Sequence, residues 1–130
     1  FPSLKIHLVR GNHDILNEGW YKACKITVHH DKLCIDDFCF CHDACDSEQE
    51  KEKYIFSGHI HPGVKIRGMA KQSLSFPCFY FTDDYCILPA FSHFTGTYQV
   101  EHQKGDEIFA IVDKEILPIH SKVINELKKK

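Results

Sequence analysis

The chain has 130 residues, 43% hydrophobic and 26% charged, the proportions of a folded domain rather than a disordered or low-complexity segment. No apolar run approaches the ~18 residues of a membrane-spanning helix, and a formal charge of −2 supplies no global basic field for nucleic acid. The chain opens on Phe1-Pro2-Ser3 rather than Met, without a signal-peptide layout, so it is expected to be a portion of something longer. Seven Cys and ten His are the unusual counts. With an odd number of Cys and no C-x-x-C pair, a disulfide framework is not expected. Most thiols fall in apolar, strand-like runs such as Phe38-Cys39-Phe40-Cys41 and Tyr85-Cys86-Ile87, where Cys acts as a small hydrophobe. Seven free thiols in a reducing cytoplasm are the expectation.

In chain order, Leu4 to Val9 alternates apolar and polar positions and reads as a strand running into the polar turn Arg10-Gly11-Asn12-His13-Asp14. Ile15 to Ala23 holds a short helical segment. Cys24 to His29 and Lys32 to Ile35 are β-rich runs around His30-Asp31, which predicts a hairpin. Phe38 to Cys41 is a strand ending at His42-Asp43. Asp43 to Lys53 is acidic, and Ser47-Glu48-Gln49-Glu50 has the form of a capping box. Tyr54 to Ser57 is a short strand ending in Gly58-His59-Ile60-His61-Pro62-Gly63. Val64 to Arg67, Ser75 to Thr82 and Tyr85 to Leu88 are further strands. Glu107 to Val112 and Glu115 to Ile119 flank Asp113-Lys114, a second hairpin signal. Ser121 to Lys130, with four Lys and one Glu, reads as a solvated C-terminal helix. Strands outnumber helices.

Three strand-like runs end in residues that can bind metal: Leu4–Val9 before Asn12-His13-Asp14, Phe38–Cys41 before His42, and Tyr54–Ser57 before His59-x-His61. Ligands gather outside the carboxyl ends of strands in open sheets, so these groups can converge despite their separation in sequence. Gly11 and Gly58 precede two of the clusters and permit backbone geometry that a Cβ resists. Imidazole with amide or carboxylate oxygen suits Mn, Fe or Zn better than Ca.

Gly11-Asn12-His13-Asp14, then His42, then Gly58-His59-Ile60-His61 reproduce in order the last three motifs of the calcineurin-like metallophosphoesterases. The run Gly58 to Gly68, Pro77-Cys78-Phe79 and Leu88 to Gly96 further resemble the PdeM-type bacterial phosphoesterases, described as ligase-associated DNA-damage-response endonucleases. The resemblance covers roughly residues 4 to 119. It implies an α/β fold, the αββα four-layer sandwich of that family, incomplete at the N-terminus, with residues 1–130 forming the C-terminal portion of one domain. It implies that Asn12, His42 and His59 ligate a second metal and His61 a first, with two divalent ions, Mn before Fe or Zn, in the full-length enzyme. It makes His13 the acid that protonates the leaving oxygen, with Asp14 as its charge partner; Arg10, Arg67 and Thr95 are candidates for substrate contact. The implied substrate is a phosphodiester, DNA or a cyclic nucleotide. Ligase or helicase repair proteins are implied partners, and strands left without neighbours would favour a homo-oligomer.

The upstream motifs D-x-H and G-D-x-x-(D/H), which carry the bridging carboxylate, are not in this sequence, so the chain alone is expected to be inactive. The competing expectations are a non-catalytic metal-binding or protein-interaction module and, less favoured by charge, a nucleic-acid-binding domain without chemistry. A structural zinc knot from Cys39, Cys41, His42 and Cys45 lacks ordinary spacing, and strand alternation separates the two Cys from His42. His7, His29, His30, His93, His102 and His120 have no motif context and are read as structural or surface residues.

Overall fold

The computed structural model describes residues 3–44, 52–67, 72–92 and 94–119. They form eleven strands and a single helix: β1 (Ile6–Val9), α1 (Glu18–Ala23), β2 (Ile26–His29), β3 (Lys32–Ile35), β4 (Phe38–Cys41), β5 (Tyr54–Ser57), β6 (Pro62–Arg67), β7 (Ser73–Phe81), β8 (Tyr85–Ile87), β9 (Tyr98–Gln99), β10 (Glu107–Val112) and β11 (Glu115–Ile119). β1 and β2 make a two-stranded parallel sheet, and the other nine make one sheet whose main path is β11-β10-β7-β8-β5-β4-β3. β4, β5 and β8 run parallel, so their carboxyl ends share one edge.

The expected αββα four-layer sandwich is not what the described residues build. Such a fold needs helices long enough to cover sheet faces, and the described residues supply only the six-residue α1. Apolar runs of three to nine residues, rich in Phe, Ile and Cys, have the length and composition of strands. α1 is started by Asn17, whose side chain accepts from the Gly19 N–H at 2.8 Å, an ordinary N-cap.

The expected β2–β3 hairpin is also absent: β2 pairs in parallel with β1, and β3 pairs with β4. The chain reverses instead at Asp36-Asp37, with Asp36 at φ 50°, a left-handed conformation that Asp tolerates better than most residues. The hairpin over Asp113-Lys114 joins β10 to β11, again with Asp113 at a positive φ of 55°. The capping-box segment 47–50 and the lysine tail 121–130 lie outside the described residues.

Cross-strand register separates the two faces of the large sheet. One carries Cys39, Cys41, Ser57, Tyr80, Cys78, Ile87, Ile108, Ala110 and Ile119, all buried. β7 changes partners along its length, pairing β6 through Ser73–Pro77 and β10 through Cys78–Phe81. Pro77, with no N–H to give, stands at the handover. Val64 on β6 joins Cys78, Tyr80, Ile87, Ile108, Ala110 and Ile119 in one core cluster. The opposite face carries a row of rings, with Phe56 against Phe38, Phe40 and Tyr54, and Phe81 against Phe79 and Phe109.

The thiols depart from expectation in one place. Cys34 and Cys39 lie directly opposite each other on β3 and β4 and form a disulfide, so seven free thiols is corrected. Tight cross-strand register, not spacing in sequence, brings them together. Cys78 and Cys86 are free and fully buried, and burial pushes their thiols up to about 12 and about 11. Among the described residues no helix is long and apolar enough to cross a membrane.

Candidate functional site

Local backbone bonds bring the strand ends together. The amides of Gly58 and His59 both donate to the His42 carbonyl, at 3.2 and 3.0 Å, locking the end of β5 to the end of β4. Leu88 N–H donates to the Ser57 carbonyl at 2.7 Å, which holds the end of β8 beside them. On the small sheet, Arg10 N–H donates to the His29 carbonyl at 2.8 Å, fixing where the chain leaves β1. The following loop is braced by Asp14: its Oδ2 accepts the Gly11 N–H at 2.8 Å, and its carbonyl accepts from Arg10 Nε at 3.0 Å.

These constraints place three side chains at one point. His42 Nε2 lies 2.9 Å from Asn12 Oδ1 and 2.8 Å from His59 Nδ1, and the two rings meet edge to face with centroids 4.6 Å apart. A single imidazole nitrogen carries either one proton or one lone pair. If His42 Nε2 is protonated it has two acceptors to share; if it is bare, the Asn12 oxygen lone pair faces it. A cation accepting electron pairs from all three atoms removes that conflict. The donor set, two imidazoles and an amide oxygen, is one that Mn, Fe or Zn accepts, so the residues fit a divalent ion.

Gly11 is needed for this closeness. A Cβ there would stand 2.7 Å from His42 Nδ1. Its φ is not in the positive range, so the requirement is space rather than backbone conformation. Gly58 faces open space, and the steric reasoning from sequence does not extend to it.

The remaining candidates are placed differently. His13 is exposed in the braced loop, one residue beyond Asn12. The Asp14 carboxylate is engaged with the Gly11 amide, making it a loop brace. His61 has φ 53°, and its carbonyl accepts from Tyr98 N–H at 2.9 Å. Among the described residues no three His, Cys, Asp or Glu side chains stand close enough to hold a metal, so His61 is not brought into the group with His42 and His59; the third donor is the Asn12 amide. Arg67 ends β6, five residues beyond Pro62, which at about 3.3 Å per residue is roughly 16 Å along the strand from Pro62, the residue after His61. Thr95 Oγ1 donates to the Ser92 carbonyl at 3.0 Å in the exposed loop after β8. The zinc-knot grouping is not assembled: Cys39 is in the disulfide, and Cys45 lies outside the described residues. Sequence reasoning did not show that Ser57 Oγ is buried without a hydrogen-bond partner among the described residues, nor that the rings of Phe91 and Phe94 are fully exposed.

The crystal structure of the nuclease MPE of Pseudomonas putida matches 91% of this chain with a TM-score of 0.69 and 23% sequence identity. The chain shares that fold and spans about half of that nuclease's length, 55%. No protein-family model matches the chain, and no curated protein matches it.

Proposed function

We propose that this chain forms one part of a divalent-cation-dependent phosphodiesterase domain that cleaves nucleic acid. The observation that carries this reading is the convergence of Asn12 Oδ1, His42 Nε2 and His59 Nδ1 at a strand edge. The fold shared with a nuclease supports it, as do the calcineurin-like motifs in which those three residues stand. Bound there, Mn or a similar ion, paired with a second one, would supply charge to stabilise attacking and leaving oxygens. The chain's own residues do the rest. Asn12, His42 and His59 hold the ion; His13 gives a proton to the leaving oxygen; Asp14 keeps the His13 loop in shape. Phe91 and Phe94 offer exposed ring faces for unstacked bases.

His13 supplies the test. In the intact enzyme, His13→Ala should keep its fold and its cation but lose about 10²–10⁴-fold in rate on an alkyl phosphodiester, whose leaving oxygen needs a proton. A p-nitrophenyl ester, whose phenolate leaves unprotonated, should lose far less. His59→Ala should damage both substrates together. Parallel losses on both esters with His13→Ala, or loss of the cation, would remove His13 from this role.

A further inference from the structure

A second pair of imidazoles meets on the small sheet. The parallel register sets His7 opposite Thr27 and Val9 opposite His29, so His7 and His29 are diagonal neighbours on one face. His7 Nδ1 stands 3.0 Å from His29 Nε2, with ring centroids 5.2 Å apart and planes inclined by 30°. His7 is exposed and His29 half-buried, leaving the outer side of the pair to water.

The spacing has a coordination meaning. With metal–nitrogen bonds of about 2.0–2.1 Å, two ligands at right angles stand about 2.9 Å apart, whereas tetrahedral ligands stand about 3.4 Å apart. The observed 3.0 Å is the length of an ordinary N–H···N hydrogen bond and is also within reach of joint ligation, so one cation can take the place of the proton the two rings share. We propose that His7 and His29 form a two-histidine site for a divalent cation of the Ni(II) or Cu(II) class, which stands high in the first-row affinity order for imidazole nitrogen. Ligation uses His7 Nδ1 and His29 Nε2, leaves the ring protons on His7 Nε2 and His29 Nδ1, and fills the remaining positions with water. The ion ties β1 to β2. A two-stranded sheet is marginal by itself, and an ion bound only by the folded state stabilises it; β1 is the strand that delivers Asn12. The site shares no residue with the Asn12–His42–His59 group and does not depend on the proposed hydrolytic function.

The test is calorimetric titration of the whole chain with Ni(II), made in a His42→Ala background so that the strand-edge group is disabled. That variant should still bind one Ni(II) per chain, and adding either His7→Ala or His29→Ala should weaken binding at least about tenfold, since the second imidazole otherwise binds intramolecularly. His7→Gln, which keeps size and polarity, should weaken it as much, and circular dichroism identical to the parent excludes unfolding as the cause. A His42→Ala chain that binds no Ni(II), or one whose binding survives loss of His7 and of His29, overturns the site. Neither result bears on the His13 experiment.

Discussion

From β3 onward the large sheet buries Val64, Cys78, Tyr80, Ile87, Ile108, Ala110 and Ile119 in one cluster, whereas Tyr21 is the one fully buried side chain between residues 3 and 30. The large sheet is therefore held by apolar burial, which is non-directional and tolerant of register detail. The small sheet contributes only half-buried apolar side chains such as Leu8, Val9, Ile26 and Val28, and a directed polar contact, His42 to Asn12, crosses from it to the large sheet. The candidate site is the joint between the two: Asn12 comes from one sheet, His42 and His59 from the other. A cation there would link the loop after β1 to the ends of β4 and β5. Affinity and stability should then respond to different residues.

The largest separation is expected from the ligands. His42→Ala or His59→Ala should weaken Mn binding by at least about 100-fold, because even the partners behind a ligand are worth about 10–100-fold. Gly11→Ala should do the same without touching a donor, since its Cβ would push against the His42 ring. Calorimetric Mn titration checks all three, with thermal unfolding expected to show the large sheet intact. If Gly11→Ala binds as the parent does, the ring has room to move and the joint is looser than the structure shows.

The converse change is in the core. Ile108 is 1% exposed, and Ile108→Ala should cost about 2–5 kcal/mol while leaving Mn affinity within about twofold, measured by urea denaturation and the same titration. A matching fall in affinity would mean that the two sheets are coupled through packing after all.

Apart from β9, the strands were legible because each is a short β-rich run bounded by turn residues, as at Tyr54–Ser57 before Gly58 and at Glu107–Val112 before Asp113. Pairing was not legible. His30-Asp31 has the look of a hairpin turn, yet β2 turns to β1, twenty residues upstream by register, a non-local choice that local composition does not encode. The pairing of Cys34 with Cys39 followed from the same missing register, since both positions depend on β3 and β4 turning at Asp36-Asp37. β9, two residues long, carries no periodicity to read. At the site, motif order singled out Asn12, His42 and His59, but the orientation of Asp14 toward Gly11 and the distance of Arg67 along β6 depend on loop and strand direction.

Alkaline pH offers a subtler way to tell the regions apart. Burial raises Cys78 to about 12 and Cys86 to about 11 from a thiol's 9.0. Above pH 9 the unfolded chain loses those protons and the folded chain keeps them, so stability falls as pH rises toward 11 or 12. In Cys78→Ala and Cys86→Ala chains the slope of urea midpoint against pH between 9 and 10.5 should be shallower than in the parent. An unchanged slope would assign the alkaline loss to other groups.

The smallest effect expected lies where the two regions touch. Ser57 closes β5 immediately before Gly58 and His59; it is 2% exposed, and its Oγ has no hydrogen-bond partner among the described residues. Its backbone is well used, with the carbonyl accepting from Leu88 N–H, so only the hydroxyl is in question. A buried hydroxyl without a partner costs about 1–3 kcal/mol, and Ser57→Ala removes it while keeping the Cβ in the packed face beside Ile87. The variant should therefore be about 1 kcal/mol more stable than the parent in urea, part of the gain being offset by the small void left behind. Mn affinity should not change, since the hydroxyl belongs to the packed face rather than to the ligand group. A destabilised Ser57→Ala chain, or one with weaker Mn binding, would show that the hydroxyl supports the end of β5 and that packing does reach into the site.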